Sequence, residues 1–211
     1  MTFAALKTEV FRRLNESSSA PVFWSEADVE DAINFAYREL SDESEWYERA
    51  ITIPLLNDRP YYDLRTNVNS LTVLSAGPCY HSATNRWLQA TDQIELDQRD
   101  RRWETATGTP QRMWTKGLWW IAYWPRVQAD DTTTVRQTFT ALPPALSDDD
   151  DTPGFPVAYH DGIVEGALSD LYAQDAEADL ALKCWAAYEG YESNLRAWVQ
   201  GRGRVPMRLG R

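Results

Sequence analysis

The sequence predicts an α+β protein. N- and C-terminal helices pack as one bundle, an antiparallel β domain is inserted between them, and an extended arm ends the chain. Three observations lead there. Apolar residues recur at three- and four-residue steps near the N-terminus and again beyond residue 156. Short runs rich in Trp, Tyr and β-branched residues, separated by turn residues, fill the middle. The period changes across one stretch, Phe139–Asp175, which starts as a strand, crosses an acidic proline-bearing loop and ends as a helix. The divisions that follow are 1–48 and 156–199 for the helical body, 49–142 for the β domain, 143–155 for an acidic linker and 200–211 for the arm.

The first helix spans Thr2–Leu14, with Phe3, Leu6, Val10, Phe11 and Leu14 on one face. A loop follows over Asn15–Pro21. Ser25 is the N-cap of the second helix, Asp28 completes a carboxylate capping box, and Trp24 can staple onto Val29. Val29, Ala32, Ile33, Ala36, Tyr37 and Leu40 then keep helical period to about Ser41. Strands are expected at 50–56, 60–64 and 70–76, with turns at Asn57-Asp58, Asn67–Asn69 and Gly77-Pro78. Trp87–Ala90 is a short strand, Thr91–Trp103 a short helix or ordered loop, and Ala106–Pro110 a break. Arg112–Thr115, Leu118–Trp124 and Thr132–Ala141 are the clearest strands, completing an antiparallel sheet or small sandwich.

Pro143, Pro144, Pro153 and Pro156 stop both sheet and helix, and Asp148–Asp151 keeps the loop between them solvated. Pro156 suits a first helical position. Tyr159, Ile163, Val164, Ala167, Leu168, Leu171 and Tyr172 line one face of the helix that follows. Ala158, Gly162, Gly166 and Ala173 form a small-residue stripe on it. A mid-helix glycine costs roughly 1 kcal/mol relative to alanine, so a closely approaching helix is expected there. After a break at Asp175–Asp179, a last helix carries Leu182, Trp185, Tyr188, Leu195 and Trp198 to about Val199, ended by Gly201 and Gly203.

Net charge is −11, and the last twelve residues carry four arginines and no acid. An acidic body does not hold nucleic acid by neutralising phosphates. The tail instead suggests an arm. Val205, Met207 and Leu209 alternate, Pro206 excludes helix, and Arg202, Arg204, Arg208 and Arg211 supply charge for docking into a partner's groove, by strand addition for example. A disordered end is the plainer alternative. No run is long and apolar enough to cross a bilayer, the N-terminus lacks signal-peptide features, and Cys79 and Cys184 fit a reducing compartment.

Signatures of nucleophile elbows, phosphate loops, zinc helices and CxxC pairs are absent, so neither an enzyme nor a cofactor or metal is expected. His160 and Asp161 point about 100° apart on a helix and do not form a dyad. Asp148–Asp151 lacks the glycine and spaced oxygens of a calcium loop. Trp114, Trp119, Trp120, Tyr123 and Trp124 place aromatics on both faces of the strands, Trp120 with Trp124 and Trp119 with Tyr123. Core plus protein interface is the favoured reading. A carbohydrate-binding β module centred on Trp120 is the alternative.

Four segments, in order and spanning most of the chain, carry a family resemblance: FWSEADVEDAINFAYREL, YYDL, ATGTPQRMW and DDDDTPGFPVAYHDGIVEGALSDLYA. The chain resembles the head-to-tail adaptor (connector) proteins of tailed bacteriophages. It departs from them at Arg65, where the family often has proline, and in its Arg-rich tail. The resemblance implies a ring, usually of twelve copies, in the virion neck below the portal protein, assembled in the host cytoplasm, with DNA passing through without sequence-specific binding. It implies that Arg202, Arg204, Val205, Met207, Arg208 and Leu209 dock on the portal. Ala158, Tyr159, Gly162 and Gly166 would serve subunit contacts, and Trp114, Trp119, Trp120 and Trp124 would face tail or nozzle proteins. A tail-completion or stopper protein is the related alternative.

Overall fold

The computed structural model describes residues 1–16, 23–57, 59–67, 72–99, 101–117, 119–128 and 133–202. In chain order the elements are α1 (Phe3–Arg13), α2 (Glu26–Ser44), β1 (Glu48–Pro54), β2 (Tyr61–Asp63), α3 (Leu64–Asn67), β3 (Val73–His81), β4 (Arg86–Trp87), β5 (Gln89–Ala90), α4 (Gln93–Arg99), a 3-10 turn (Trp103–Thr105), β6 (Arg112–Lys116), β7 (Trp120–Trp124), β8 (Thr134–Ala141), a second 3-10 turn (Val157–Tyr159), α5 (His160–Gln174) and α6 (Ala178–Arg202). The protein is α+β. It divides into a helical unit, Met1–Tyr47 with Pro143 onward, and a β unit, Glu48–Leu142.

In the helical unit, α1, α2, α5 and α6 share one core. Leu6, Val10, Ile33, Leu40, Ile163, Val164, Leu171 and Leu195 within it are fully buried. The capping box forms as the sequence implies. Ser25 Oγ accepts from the Asp28 N–H at 3.2 Å, and the Asp28 carboxylate accepts from the Ser25 N–H at 2.9 Å. α2 runs three residues past the expected end. Ser41 and Ser44, buried there, donate back to the Tyr37 and Leu40 carbonyls and so need no outside partner. Pro156 precedes a 3-10 turn, and α5 starts only at His160.

The proline-rich linker is a strap fastened to this unit. The Asn34 amide donates to the Leu146 carbonyl at 3.0 Å and its oxygen accepts the Leu146 N–H at 2.7 Å. The Asp151 and Asp149 carbonyls accept the Phe3 and Ala4 N–H groups, two of the donors that the start of α1 leaves without an intrahelical partner. Gly154 lies under the Trp46 indole, where an added Cβ would come within 2.3 Å of the ring. Asp148 and Asp150 are exposed, as expected, but the Asp149 carboxylate pairs with Lys7 at 2.9 Å. The half-buried Asp151 carboxylate accepts the Ser147 and Asp148 N–H groups, so the acidic run fastens the strap through side chains as well as backbone.

The β unit has two four-stranded sheets, in the orders β1-β8-β3-β4 and β2-β7-β6-β5. Pairing is antiparallel except between β5 and β6. Gly77-Pro78 is not a turn. It lies inside β3, where the register to β8 shifts, and Gln137 Nε2 donates to the Gly77 carbonyl at 2.7 Å. A bulge is one of the few places a sheet accepts a proline. The expected single strand at 87–90 is two. β4 pairs with β3, Leu88 is buried, and β5 pairs in the other sheet, so this short segment passes from one sheet to the other. Ile53, Cys79, Ile121, Tyr123, Val135 and Phe139 fill the space between the sheets. Leu96 of α4 and Trp103 cover the outer face of the second sheet against Trp114 and Ala122.

Candidate docking surfaces

The small-residue stripe on α5 is used inside the chain. A Cβ on Gly162 would lie 2.7 Å from Tyr191 Cβ, and one on Gly166 would lie 2.8 Å from Ala36 Cβ and 2.9 Å from the Tyr188 ring. Tyr191 and Tyr188 belong to α6 and Ala36 to α2. The close approach anticipated from sequence is therefore intramolecular, and both glycines are buried. Of the residues expected at subunit contacts, Gly162 and Gly166 are withdrawn from that role. Ala158 is exposed and Tyr159 half-buried.

Tyr159 instead leads to the C-terminal end. Its ring lies 6.1 Å from that of Trp198, and the Arg202 guanidinium lies over the same indole at 4.3 Å. Two residues predicted for separate roles are thus joined through Trp198. The helix continues through Arg202, so Gly201 is helical and the first residues assigned to the arm are not extended. Arg204, Val205, Met207, Arg208 and Leu209 lie outside the described residues.

The tryptophans divide. Trp114 is only 4% exposed, its ring 5.0 Å from that of Trp103 and 6.0 Å from that of Tyr61, and so belongs to the core rather than to a docking face. Trp124 is half-buried and donates its indole N–H to the Trp103 carbonyl. Trp119 and Trp120 are 40% and 41% exposed at the β6–β7 hairpin end. Arg65 lies over the Trp119 ring at 5.8 Å, held by the Asp63 carboxylate at 2.7 Å.

Electrostatics bind the helical unit together. Lys7, mostly buried, meets Glu26, Glu30 and Asp149 at 2.8–2.9 Å. Burial alone would lower its pKa, and the three carboxylates together raise it above the ordinary lysine value. Hydrogen bonds from Arg12 and Arg13 hold the Glu9 carboxyl down at about 2. Arg13 also pairs with Glu165 of α5. His160 is buried. The Met1 amine bonds its Nδ1 at 2.7 Å and its Nε2 meets the Phe155 carbonyl at 3.0 Å. Burial first, and the nearby amino group, push its pKa below the usual histidine value. Among the described residues no group of three or more His, Cys, Asp or Glu side chains could hold a metal, and no helix is long and apolar enough to cross a membrane.

The family profile described as SU10 adaptor protein matches residues 1–209. The chain belongs to this family of phage head-to-tail adaptors. No curated protein matches it. Membership gives this adaptor a structural role at the head–tail junction, in the virion neck, in contact with portal and tail components.

Several residues that shape the adaptor's surfaces escape a reading by motif. Lys7 and Asn34 organise the strap, yet their partners Asp149 and Leu146 lie more than a hundred positions away. Arg65 is closer to legible, since an Asp two positions before an Arg at a strand end can fix its guanidinium.

Proposed function

We propose that this adaptor forms a ring, usually of twelve copies in its family, that joins the portal vertex to the tail and lets DNA through its channel. The observation that carries this is the family match over residues 1–209. The distribution of charge supports it. The β unit holds ten acids and eleven bases, whereas the helical unit holds 22 acids and ten bases. Acids facing a channel let DNA slide, because no phosphate is neutralised and no counterion released.

In this reading the arm, Arg202, Arg204, Val205, Met207, Arg208 and Leu209, grips the portal. Arg202 stacked on Trp198 supports an origin for it at the end of α6. Ala158 and Tyr159 serve contacts between copies. Trp119 and Trp120, exposed at their hairpin, face tail or nozzle proteins, with Trp124 at the edge of that patch. A stopper or tail-completion role would use the same surfaces with a different neighbour above.

Deletion of residues 200–211 tests the arrangement. The shortened protein keeps the helical far-UV spectrum of the full chain and no longer joins purified portals in pull-downs. Capture equal to that of the full chain would sink the arm's role. Capture of a tail component in place of portal by the full chain would favour the stopper.

A further inference from the structure

Of the four sheet faces in the β unit, three are covered from within it. Two share the inter-sheet core, and α4 with the first 3-10 turn covers the outer face of the β2-β7-β6-β5 sheet. Among the described residues, no element of the unit packs on the fourth, the outer face of β1-β8-β3-β4. There a cross-strand row runs Thr52, Arg136, Tyr80, Trp87. The neighbouring row has only Ala50 and Thr138 beside it, which leaves a cleft of about 360 Å³ walled by Tyr80, Trp87 and Arg136. A second cleft, about 640 Å³, is also lined by Trp87, together with Thr84, Arg86, Gln89, Thr109 and Gln111. Both volumes fall within the range of small-ligand sites.

Trp87 is thus a platform shared by two clefts. Its indole is 61% exposed, more than any other tryptophan described as exposed. Its position is set by Tyr80, edge-on at 5.3 Å, whose hydroxyl bonds Asn85 at 2.8 Å. The Arg86 and Arg136 side chains have no ion-pair or hydrogen-bond partner among the described residues. An exposed indole surrounded by guanidinium, carboxamide and hydroxyl groups suits a ligand with a flat C–H face, several hydroxyls and an anionic substituent. The guanidinium fork matches a carboxylate in two parallel bonds. A nucleic-acid strand fits less well. Two arginines on a unit without net positive excess beyond a single charge do not make the run of phosphate contacts such binding rests on.

We propose that Trp87 is the floor of a saccharide site for sugars bearing a carboxylate, with the ring stacked on the indole, hydroxyls bonded by Gln89, Gln111, Thr84 or Thr138, and the carboxylate held by Arg136 or Arg86. This activity is independent of the adaptor reading and stands or falls separately from it. The test is a titration of the full-length protein followed through the Trp87 indole N–H resonance, with trigalacturonate as the acidic probe and cellotriose as the neutral one. Trigalacturonate is expected to shift that resonance saturably and to bind at least about tenfold more tightly than cellotriose. Followed by titration calorimetry, because the variant lacks the reporter indole, Trp87→Ala should abolish binding of both, and Arg136→Gln with Arg86→Gln should reduce the acidic sugar to the neutral level. Trp87 is exposed, so its loss should leave the fold intact, checked by near-UV circular dichroism. The proposal is overturned if neither sugar shifts the resonance by about 10 mM, if cellotriose binds as well as trigalacturonate, or if titration calorimetry shows that Trp87→Ala still binds trigalacturonate as tightly as the unaltered protein. It is also overturned if the acidic peptide Ser147–Gly154 binds the platform more tightly than either sugar, which would make the clefts a peptide-docking surface.

Discussion

Ala176 sits at φ 61°, in the left-handed region, between α5 and α6. The Glu177 N–H bonds the Tyr172 carbonyl and the Ala176 N–H bonds that of Ala173, the paired bonds of a Schellman ending. The position is the one where glycine is favoured, because a Cβ crowds the backbone there. Ala176→Gly should therefore stabilise the protein, by about 1 kcal/mol, the cost of the left-handed Cβ outweighing the extra freedom glycine brings to the unfolded chain. The readout is a urea midpoint that moves up with an unchanged slope. An unmoved or lowered midpoint would mean that the turn relaxes the strain elsewhere. The equivalent position after α1 is Asn15, at φ 59°, a residue type that tolerates this conformation. Nothing in the local sequence around Ala176 marks it. Glycine would have been the signal, and alanine hides it.

At the scale of elements, glycine composition alone is ambiguous, and α5 and α6 show why. A Cβ added to Gly166 would come within 3 Å of Ala36 and the Tyr188 ring, whereas one added to Gly190, inside α6, would meet no atom within 4 Å. The same substitution should have opposite signs. Gly166→Ala should cost about 1–3 kcal/mol by forcing α2 or Tyr188 outward, and Gly190→Ala should gain up to about 1 kcal/mol of helix propensity. Thermal unfolding of both variants checks this, and equal signs would contradict the packing. The faces of α1, α2 and α5 were readable because one buried stripe at helical spacing decides each. On α6 the buried positions are Ala181, Tyr188 and Leu195, seven apart, and a narrow seam with Leu182 and Trp185 exposed beside it blurs the period. The β unit was legible in its long strands and less so elsewhere. Gly77-Pro78 reads as a turn locally and becomes a bulge only because β8 pairs on both sides of it. The tryptophans of β6 and β7 could not be sorted into core and surface from alternation, since that sheet is covered on both faces.

For the whole molecule, the sequence's average acidity conceals an uneven one. All of the net negative charge lies in the helical unit, and the β unit is close to neutral. The described ion pairs do not remove it. Lys7 satisfies three carboxylates and leaves an excess, and burial together with Glu43, Glu192, Asp170 and Asp42 raises the pKa of Glu39. Copies brought side by side therefore repel through their helical units at low ionic strength, and salt screens that repulsion over distances of about 10 Å at 0.1 M. If the arm grips the portal as proposed, its arginines have the opposite dependence, because screening weakens their attraction to acidic groups there. Two salt series on the same protein should then run in opposite directions. Mass photometry of the adaptor alone should show larger assemblies as salt rises from roughly 20 to 300 mM, while capture by immobilised portal falls across the same range. If both fall together, contacts between copies are themselves ionic and the acidic face is shared between them. If both rise, apolar residues of the arm, Val205, Met207 and Leu209, dominate the grip and its arginines are secondary.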